Sequence, residues 1–244
     1  MILQTVKLSK KFDGLTALVD VDLSIENGEI FGVAGPNGAG KSTLFNVIAG
    51  VYPPSAGEIV FDGHNIARLK PHQICHLGLG RTFQIPQTFP TLSVQDNLRV
   101  GATFGRSLKY RFKNRKALNE KIEQTMSFLE IADYRDHLAI NLDIYTTKMV
   151  MIGGILCTGC RMMMLDEPLA GLSISEIDSF LNLVREINEK MGITIVIIEH
   201  LLDMLIEISN RLLILHNGRV IFLGGPELVR ENQEVVNVYL GNDK

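Results

Sequence analysis

Residues 35–42 read Gly-Pro-Asn-Gly-Ala-Gly-Lys-Ser and match the pattern G-x-x-x-x-G-K-[ST] in every fixed position. Glycines at these points let the backbone wrap closely around an anion with its N–H groups turned inward. Glu29–Ala34 before the loop is a compact apolar run typical of a buried strand, and Ser42–Gly50 after it has helical spacing. A strand, a glycine-rich loop and a helix in this order predict a site for nucleotide phosphates.

Each residue type in this loop suits a phosphate chain. Lys41 is placed to reach the β- and γ-phosphates and the Ser42 hydroxyl to ligate Mg²⁺, while the helix that follows contributes the positive end of its dipole. The structural alternative is a glycine-rich turn with an incidental lysine. The residues predicted to bind the nucleotide are Gly35, Pro36, Asn37, Gly38, Ala39, Gly40, Lys41, Ser42 and Thr43.

An acidic pair follows a second apolar run. Met162–Leu165 predicts a buried strand, and Asp166 stands at its carboxyl end, where ligands collect in open α/β sheets. We expect Asp166 to hold Mg²⁺ and Glu167 to orient and deprotonate the attacking water. A capped turn before a helix is the alternative, and Pro168 favours it, but such a cap does not require the apolar run in front.

Strand and helix patterns alternate along the chain. The stretch Ile2–Ile25 predicts short antiparallel strands. Ile193–Ile198 predicts a buried strand after the amphipathic helix Ser175–Met191, and Arg211–His216 leads through the turn Asn217-Gly218 into a hairpin. The class is therefore α/β, with a largely parallel sheet covered on both faces.

A helical segment interrupts this pattern from about Leu92 to Cys160. Four apolar residues share one face of its central helix: Leu118, Ile122, Met126 and Leu129. We expect residues 92–160 to form a helical subdomain, inserted between core segments 1–91 and 161–244. The basic run Lys109–Lys116 predicts a solvated surface, with contact to lipid as the alternative. Cys157–Cys160 predicts a structural loop, because no second Cys or His pair stands at zinc-ligand spacing.

Composition limits the classes of function. The chain has 244 residues, 46% of them hydrophobic, and a net charge of -3, which gives no overall electrostatic case for a nucleic-acid partner. Three cysteines are too few for a disulfide scaffold and suit a reducing cytoplasm. No apolar run reaches the roughly 18 residues that span a bilayer, so work at a membrane would require docking to another subunit.

These motifs, in this order, resemble the ATP-binding cassette (ABC) ATPases throughout the chain. Gly35–Thr43 resembles the family's Walker A motif, and Met162–Pro168 resembles Walker B with its catalytic glutamate. Gln84, in Arg-Thr-Phe-Gln, is similar to the Q-loop glutamine that senses Mg²⁺ and the γ-phosphate. His200 matches the switch histidine that contacts the γ-phosphate. Phe12 is similar to the aromatic residue that stacks on adenine, with a core aromatic as the alternative.

The resemblance implies a phosphate-loop ATPase core with an antiparallel β portion and an inserted helical subdomain, and it implies ATP and Mg²⁺ as ligands. It assigns catalytic roles to Glu167, His200, Gln84 and Lys41. It assigns the metal to Ser42, Gln84 and Asp166.

Two longer segments indicate a subfamily of these ATPases. Gly80–Leu98 and Asn217–Gly241 are similar to the ATPases of branched-chain amino-acid importers, although urea-uptake and lipopolysaccharide-export ATPases share much of the pattern. The implied function is to couple ATP hydrolysis to transport by integral membrane permease subunits. The chain would act at the cytoplasmic face of the cell membrane, in a homodimer or a heterodimer with a second ATP-binding subunit, and indirectly with a solute-binding protein.

Two other classes remain open at this point. One is a regulatory or weakly hydrolysing ABC subunit. The other is an ABC ATPase of ribosomes or DNA repair complexes, which the single cassette and the short insert disfavour.

The chain departs from the family in one segment. The family's LSGGQ signature should lie about 24 residues before Asp166, but residues 142–147 read Leu-Asp-Ile-Tyr-Thr-Thr. Tyr145 replaces a glycine that allows close backbone approach, and Asp143 places a negative charge toward a phosphate, a repulsion of about 4 kcal/mol at 4 Å. We expect a poor contribution to the ATP of a partner subunit. Gly153-Gly154 should also weaken the following helix by about 1 kcal/mol for each glycine.

Overall fold

The computed structural model describes residues 1–84, 87–105 and 115–240. Most of the basic run Lys109–Lys116 lies outside these residues, as do positions 85–86 of the segment Gly80–Leu98 and Gly241 at the end of the tail.

The helices and strands follow one another in an order close to the predicted one. In chain order they are β1 Leu3–Phe12, β2 Leu15–Ile25, β3 Ile30–Ala34, α1 Lys41–Ile48, β4 Ala56–Phe61, β5 His64–Asn65, α2 Pro71–Leu77, β6 Leu79–Arg81, α3 Val94–Phe104, α4 Arg115–Phe128, α5 Ile144–Thr158, β7 Met162–Asp166, α6 Ile174–Met191, β8 Thr194–Ile198, α7 Leu202–Ile208, β9 Arg211–His216, β10 Arg219–Gly224 and α8 Gln233–Leu240. Short 3₁₀ turns lie at Ala132–Tyr134, Ala139–Asn141 and Pro226–Glu231.

The first sheet is antiparallel, in the order β2-β1-β4-β5. Its first two strands are ten and eleven residues long, so the prediction of short strands was wrong. The pairing of β1 with β2 contains register shifts, the first of them between Thr5 and Leu8. Such irregularities bend a strand pair, so these long strands can curve along the core.

The second sheet has the order β10-β9-β3-β8-β7-β6. Strands β3, β7 and β8 are buried at every position, as expected for central parallel strands that are covered on both faces. Pairings from β9 to β6 are parallel, and β10 returns antiparallel from the predicted hairpin.

Parallel pairing brings the carboxyl ends of these strands to one edge of the sheet. Strand β3 ends at Ala34, directly before the glycine-rich loop. Its neighbour β8 ends at Ile198, two residues before His200, and the next strand, β7, ends at Asp166. Residues far apart in the chain therefore meet at this edge.

Helices make up most of the described part of 92–160, as predicted. Ile122 and Met126 are fully buried and Leu129 nearly so, in one hydrophobic cluster with strands β7 and β8. The prediction for Cys157–Cys160 was wrong in part, because Cys157 belongs to the last turn of α5, where its thiol contacts the Thr125 hydroxyl at 3.5 Å. Among the residues that the structure describes, no helix combines the length and the apolar character that crossing a bilayer requires.

Glycines set the distance between α3 and α5. A Cβ atom on Gly101 would overlap the carbonyl oxygen of Gly154, and one on Gly105 would overlap the backbone of Thr158. A Cβ on Gly153 would lie 3.0 Å from Leu129. Helix α5 continues through both of its glycines, because the close packing of the two helices offsets their weak helix propensity.

Candidate nucleotide site

Backbone geometry at the loop requires glycine. Gly35, Gly38 and Gly40 have φ angles of 144°, 79° and 109°, a region that L side chains rarely adopt. A Cβ on Gly40 would also lie 2.7 Å from the carbonyl oxygen of Ala17. The Gly218 N–H of the β9–β10 turn donates to the Ala39 oxygen at 2.9 Å, so the loop is held between β2 and this turn.

Lys41 begins α1 and is only 5% exposed. Its ammonium donates to the carbonyl oxygens of Gly35 at 2.7 Å and Pro36 at 3.1 Å. Burial lowers the pKa of Lys41, and the negative charges of Glu167 and Asp166 oppose that shift. The lysine is thus a poorly solvated cation, which a polyphosphate would stabilise.

A cavity of about 520 Å³ opens over the loop. Most of the predicted site lines it, namely Phe12, Asn37, Gly38, Ala39, Gly40, Lys41, Ser42, Thr43, Glu167 and His200. Four of the predicted site residues do not line this cavity, namely Gly35, Pro36, Gln84 and Asp166. The carbonyl oxygens of Gly35 and Pro36 accept hydrogen bonds from Lys41. The Gln84 side chain donates a hydrogen bond to Glu167.

Part of the cavity lining was not predicted from the sequence. It is formed by Leu15, Thr16, Ala17, Asn217 and Gly218. The turn signal at Asn217-Gly218 was recognised, but its position against the loop depends on β9 pairing with β3, which no local pattern reports.

Phe12 lines this cavity and is half-buried. Its ring meets Tyr52 edge-on at 5.2 Å between centroids, and the Lys10 ammonium lies 4.7 Å from the ring centroid. These contacts orient an aromatic ring in the lining of the cavity.

Glu167 is held by two side chains from separate loops. Gln84 Nε2 donates to its Oε2 at 2.6 Å, and His200 Nε2 lies 2.7 Å from its Oε1. The Glu167 backbone has a φ of 47°, a strained conformation for a residue with a side chain. Its N–H donates to the Ile198 oxygen at 3.0 Å, which keeps this loop next to β8.

Asp166 is 6% exposed and is fixed by the edge strand β6. The Arg81 guanidinium donates to Asp166 Oδ2 at 2.9 Å, and the backbone N–H of Asp166 donates to the Thr82 hydroxyl at 3.0 Å. The neighbouring Glu199 accepts from the Leu169 N–H at 2.8 Å, and burial raises its pKa. These contacts tie the loops after β7 and β8 together.

The side chains present suit MgATP. Ser42, Asp166 and Gln84 are the oxygen donors expected for a hard divalent cation. Lys41, the loop amides and the start of α1 are the donors expected for phosphates. The glycine geometry leaves the backbone space that a Cβ would fill at Gly40.

A family model described as ABC transporter matches residues 18–170. The chain belongs to the ABC transporter family. The match confirms the predicted family and fold. The chain is therefore an ATP-binding subunit with ATPase activity.

Relatives match the ABC cassette over nearly its whole length. A probable branched-chain amino acid transport ATP-binding protein, LivG, of Archaeoglobus fulgidus is 36% identical over 98% of this chain and 95% of its own. The high-affinity branched-chain amino acid transport ATP-binding protein BraF of Pseudomonas aeruginosa is 32% identical over 98% of each chain.

Solved structures agree with the fold. A nucleotide-free ATP-binding cassette from an ABC transporter is 32% identical, with a TM-score of 0.87 over 99% of each chain. The ADP conformation of an ATP-binding cassette is 33% identical, with a TM-score of 0.88 over 99% of each chain.

The divergent segment of this ABC cassette begins α5. Asp143 caps the helix, because its carboxylate accepts from the Thr146 N–H at 2.7 Å and the Thr146 hydroxyl at 2.9 Å. Tyr145 is half-buried and packs against the main core. Ile144 is exposed, at 55%.

Proposed function

We propose that the chain couples MgATP hydrolysis to the uptake of branched-chain amino acids. The observation that carries the chemistry is Glu167, held between Gln84 and His200 at the cavity of the phosphate loop. Relatives named as branched-chain amino acid transport ATP-binding proteins support the substrate.

We assign the nucleotide to the loop and the metal to its neighbours. Ser42, Asp166 and Gln84 would hold Mg²⁺, which neutralises negative charge on the phosphates when bound. Residues 35–43 would bind the phosphates, with Lys41 on the terminal groups, and Phe12 would stack on the adenine ring.

The chain's own side chains account for the water attack. Glu167 would accept the proton of the attacking water as general base. Gln84 and His200 would orient its carboxylate, and His200 and Lys41 would stabilise the charge that develops on the γ-phosphate. The strained backbone at Glu167 aims this carboxylate into the cavity.

Transport requires other subunits. We propose that integral membrane permease subunits dock on this chain at the cytoplasmic face of the membrane, with a solute-binding protein acting indirectly. A second ATP-binding subunit, identical or different, would complete the assembly. Dimers occur among solved cassettes of this fold, one of them 23% identical with a TM-score of 0.82. Segments 1–91 and 161–244 would form the ATP-binding core and 92–160 the helical subdomain.

Glu167→Gln tests the chemistry. The variant keeps the shape of the side chain, but an amide NH2 replaces one carboxylate oxygen and the group cannot act as a base, so turnover should fall about 100-fold or more. ATP binding should persist. Release of phosphate and calorimetric binding of MgATP, both measured on the full chain with its membrane partners, check the two halves.

Glu186→Gln is the matched control, because Glu186 is a surface carboxylate paired with Lys190 and should leave turnover unchanged. Normal turnover in Glu167→Gln would remove Glu167 from the role of base.

The substrate is tested by reconstitution. Vesicles that contain the complete transporter and internal ATP should, with the solute-binding protein outside, accumulate leucine, isoleucine and valine. Urea competition would then have no effect. ATP-dependent uptake of urea without uptake of leucine would contradict the substrate.

The divergent start of α5 favours a second candidate, a subunit whose partner hydrolyses ATP weakly. Asp143 engages the Thr146 amide in the first turn of the helix with its own carboxylate, and this places a negative charge where an anion would otherwise bind. In a homodimer both sites would be slow, whereas a partner with an intact signature would leave this chain's own site active.

Asp143→Ser tests this candidate. Serine retains a helix cap but removes the charge, so ATPase activity of the homodimer should rise. An unchanged rate, at a level ordinary for the family, would contradict the impairment.

A further inference from the structure

Arg81 joins two parts of the structure that we assign to the metal. It is the last residue of β6 and pairs in register with Met164 of β7, two residues before Asp166. Its Nη2 donates to Asp166 Oδ2 at 2.9 Å and its Nη1 donates to Asn46 Oδ1 at 2.7 Å. One guanidinium therefore connects the carboxyl end of β7 to α1.

The contact on α1 lies on the face that carries Ser42. Asn46 follows Ser42 by four residues, and residues at this spacing are neighbours on a helix surface. A guanidinium is a rigid planar fork, so its two hydrogen bonds fix the direction of Asp166 relative to α1. Arg81 thus sets the separation between the helix of Ser42 and the carboxylate of Asp166.

Stability alone does not explain this arrangement. The Arg81 and Asp166 side chains are only 8% and 7% exposed, and desolvation cancels much of the attraction in a buried ion pair. The Arg81 Nε has no hydrogen-bond partner among the described residues, which adds a further cost. Phe45 and Phe83 lie 5.6 and 5.3 Å from the guanidinium carbon and restrict its movement.

We propose that Arg81 is a positioning residue for Mg²⁺ that acts through Asp166. It holds Oδ2, while Oδ1 makes no side-chain hydrogen bond within the described part of the chain. Thr82, the residue after β6, accepts a hydrogen bond from the backbone N–H of Asp166, so Arg81 and Thr82 together hold the carboxylate and the main chain of Asp166. This inference rests on the proposed role of Asp166 in holding the metal.

The test measures how strongly Mg²⁺ supports ATP binding. Calorimetric titrations of ATP into the protein are run with excess Mg²⁺ and with a chelator, and the ratio of the two affinities is the metal effect. In Arg81→Lys the metal effect should fall about 10-fold, because residues that orient a metal ligand typically change metal affinity by 10- to 100-fold. Metal-free affinity should stay unchanged, because Arg81 does not line the cavity over the loop.

Asn46→Ala provides a second variant, since it removes one anchor and leaves the ion pair in place. It should lower the metal effect by a smaller factor than Arg81→Lys, and it decides the matter if circular dichroism shows that Arg81→Lys does not fold. Arg185→Lys is the control, because Arg185 pairs with Glu207 on the surface.

Two results overturn the inference: an unchanged metal effect in a folded variant, or a parallel loss of both affinities. If the wild-type protein binds ATP without any metal effect, the proposed metal site itself fails. If the wild-type effect is present and survives in the variants, only the role of Arg81 fails.

Discussion

Lys41 is a buried lysine that lines the cavity over the loop. In the ligand-free protein, burial lowers the pKa of Lys41 below the ordinary lysine value of 10.5. A bound polyphosphate would favour the charged ammonium and raise this pKa again. The ammonium therefore loses its proton at a lower pH in the free protein than in the complex. Between the two pKa values, ATP binding should take up a proton, and affinity should fall as pH rises through the lower one.

Calorimetry at alkaline pH, in buffers with different ionisation enthalpies, measures this proton uptake. Lys41→Arg is the control, because a guanidinium keeps its charge over the whole range. Affinity that is independent of pH in the wild-type protein would contradict the assigned role of Lys41.

Single residues were predictable where a motif fixes both type and position. The loop pattern predicted Lys41 as a phosphate-binding residue and Ser42 as a metal ligand, and both line the cavity over the loop. Arg81 carried no such signal, because its contact with Asp166 joins residues 85 positions apart. Asp143 was predicted only as a misplaced charge, whereas the structure gives it a local role as helix cap.

At the scale of elements, the crossing of α3 and α5 offers a matched pair of substitutions. In Gly101→Ala the new methyl group would overlap the Gly154 carbonyl, and overpacking of this kind costs about 1–3 kcal/mol. In Gly154→Ala the methyl group meets nothing within 4 Å, so helix propensity should stabilise the protein by up to about 1 kcal/mol.

Chemical denaturation measures both changes in the free energy of unfolding. The same substitution should have opposite signs at the two positions. Equal effects would show that propensity, and not the close approach of the helices, governs these glycines.

Elements were predicted wherever apolar periodicity was strong. Strands β3, β7 and β8 and helix α6 begin and end close to the expected residues. The lengths of β1 and β2 were not predictable, since they depend on bulges between paired strands. The prediction of a loop at Cys157–Cys160 rested on the lack of a zinc-ligand pattern, which does not report that α5 continues to Thr158 before Gly159 ends it with a φ of 76°.

At the scale of the whole molecule, strand order brings the site together. Strand β3 lies between β8 and β9, so the loop after β3 meets the β9–β10 turn on one side and the end of β8 on the other. The sequence predicted a parallel sheet, but the order of its strands comes from long-range pairing, and the contribution of Asn217 and Gly218 to the cavity was missed for that reason.

We assign the binding of the ATP phosphates to the loop at residues 35–42, and in particular to Lys41. Titration of MgATP into the purified chain, followed by calorimetry, tests it most directly. The wild-type chain should bind MgATP saturably, and binding should weaken about 10- to 100-fold in Lys41→Ala, since a hydrogen bond to a charged group contributes about 1.5–3 kcal/mol. Lys190→Ala, on the surface, should bind as the wild-type protein does. No heat from the wild-type chain, or equal binding by a folded Lys41→Ala protein, would contradict the claim.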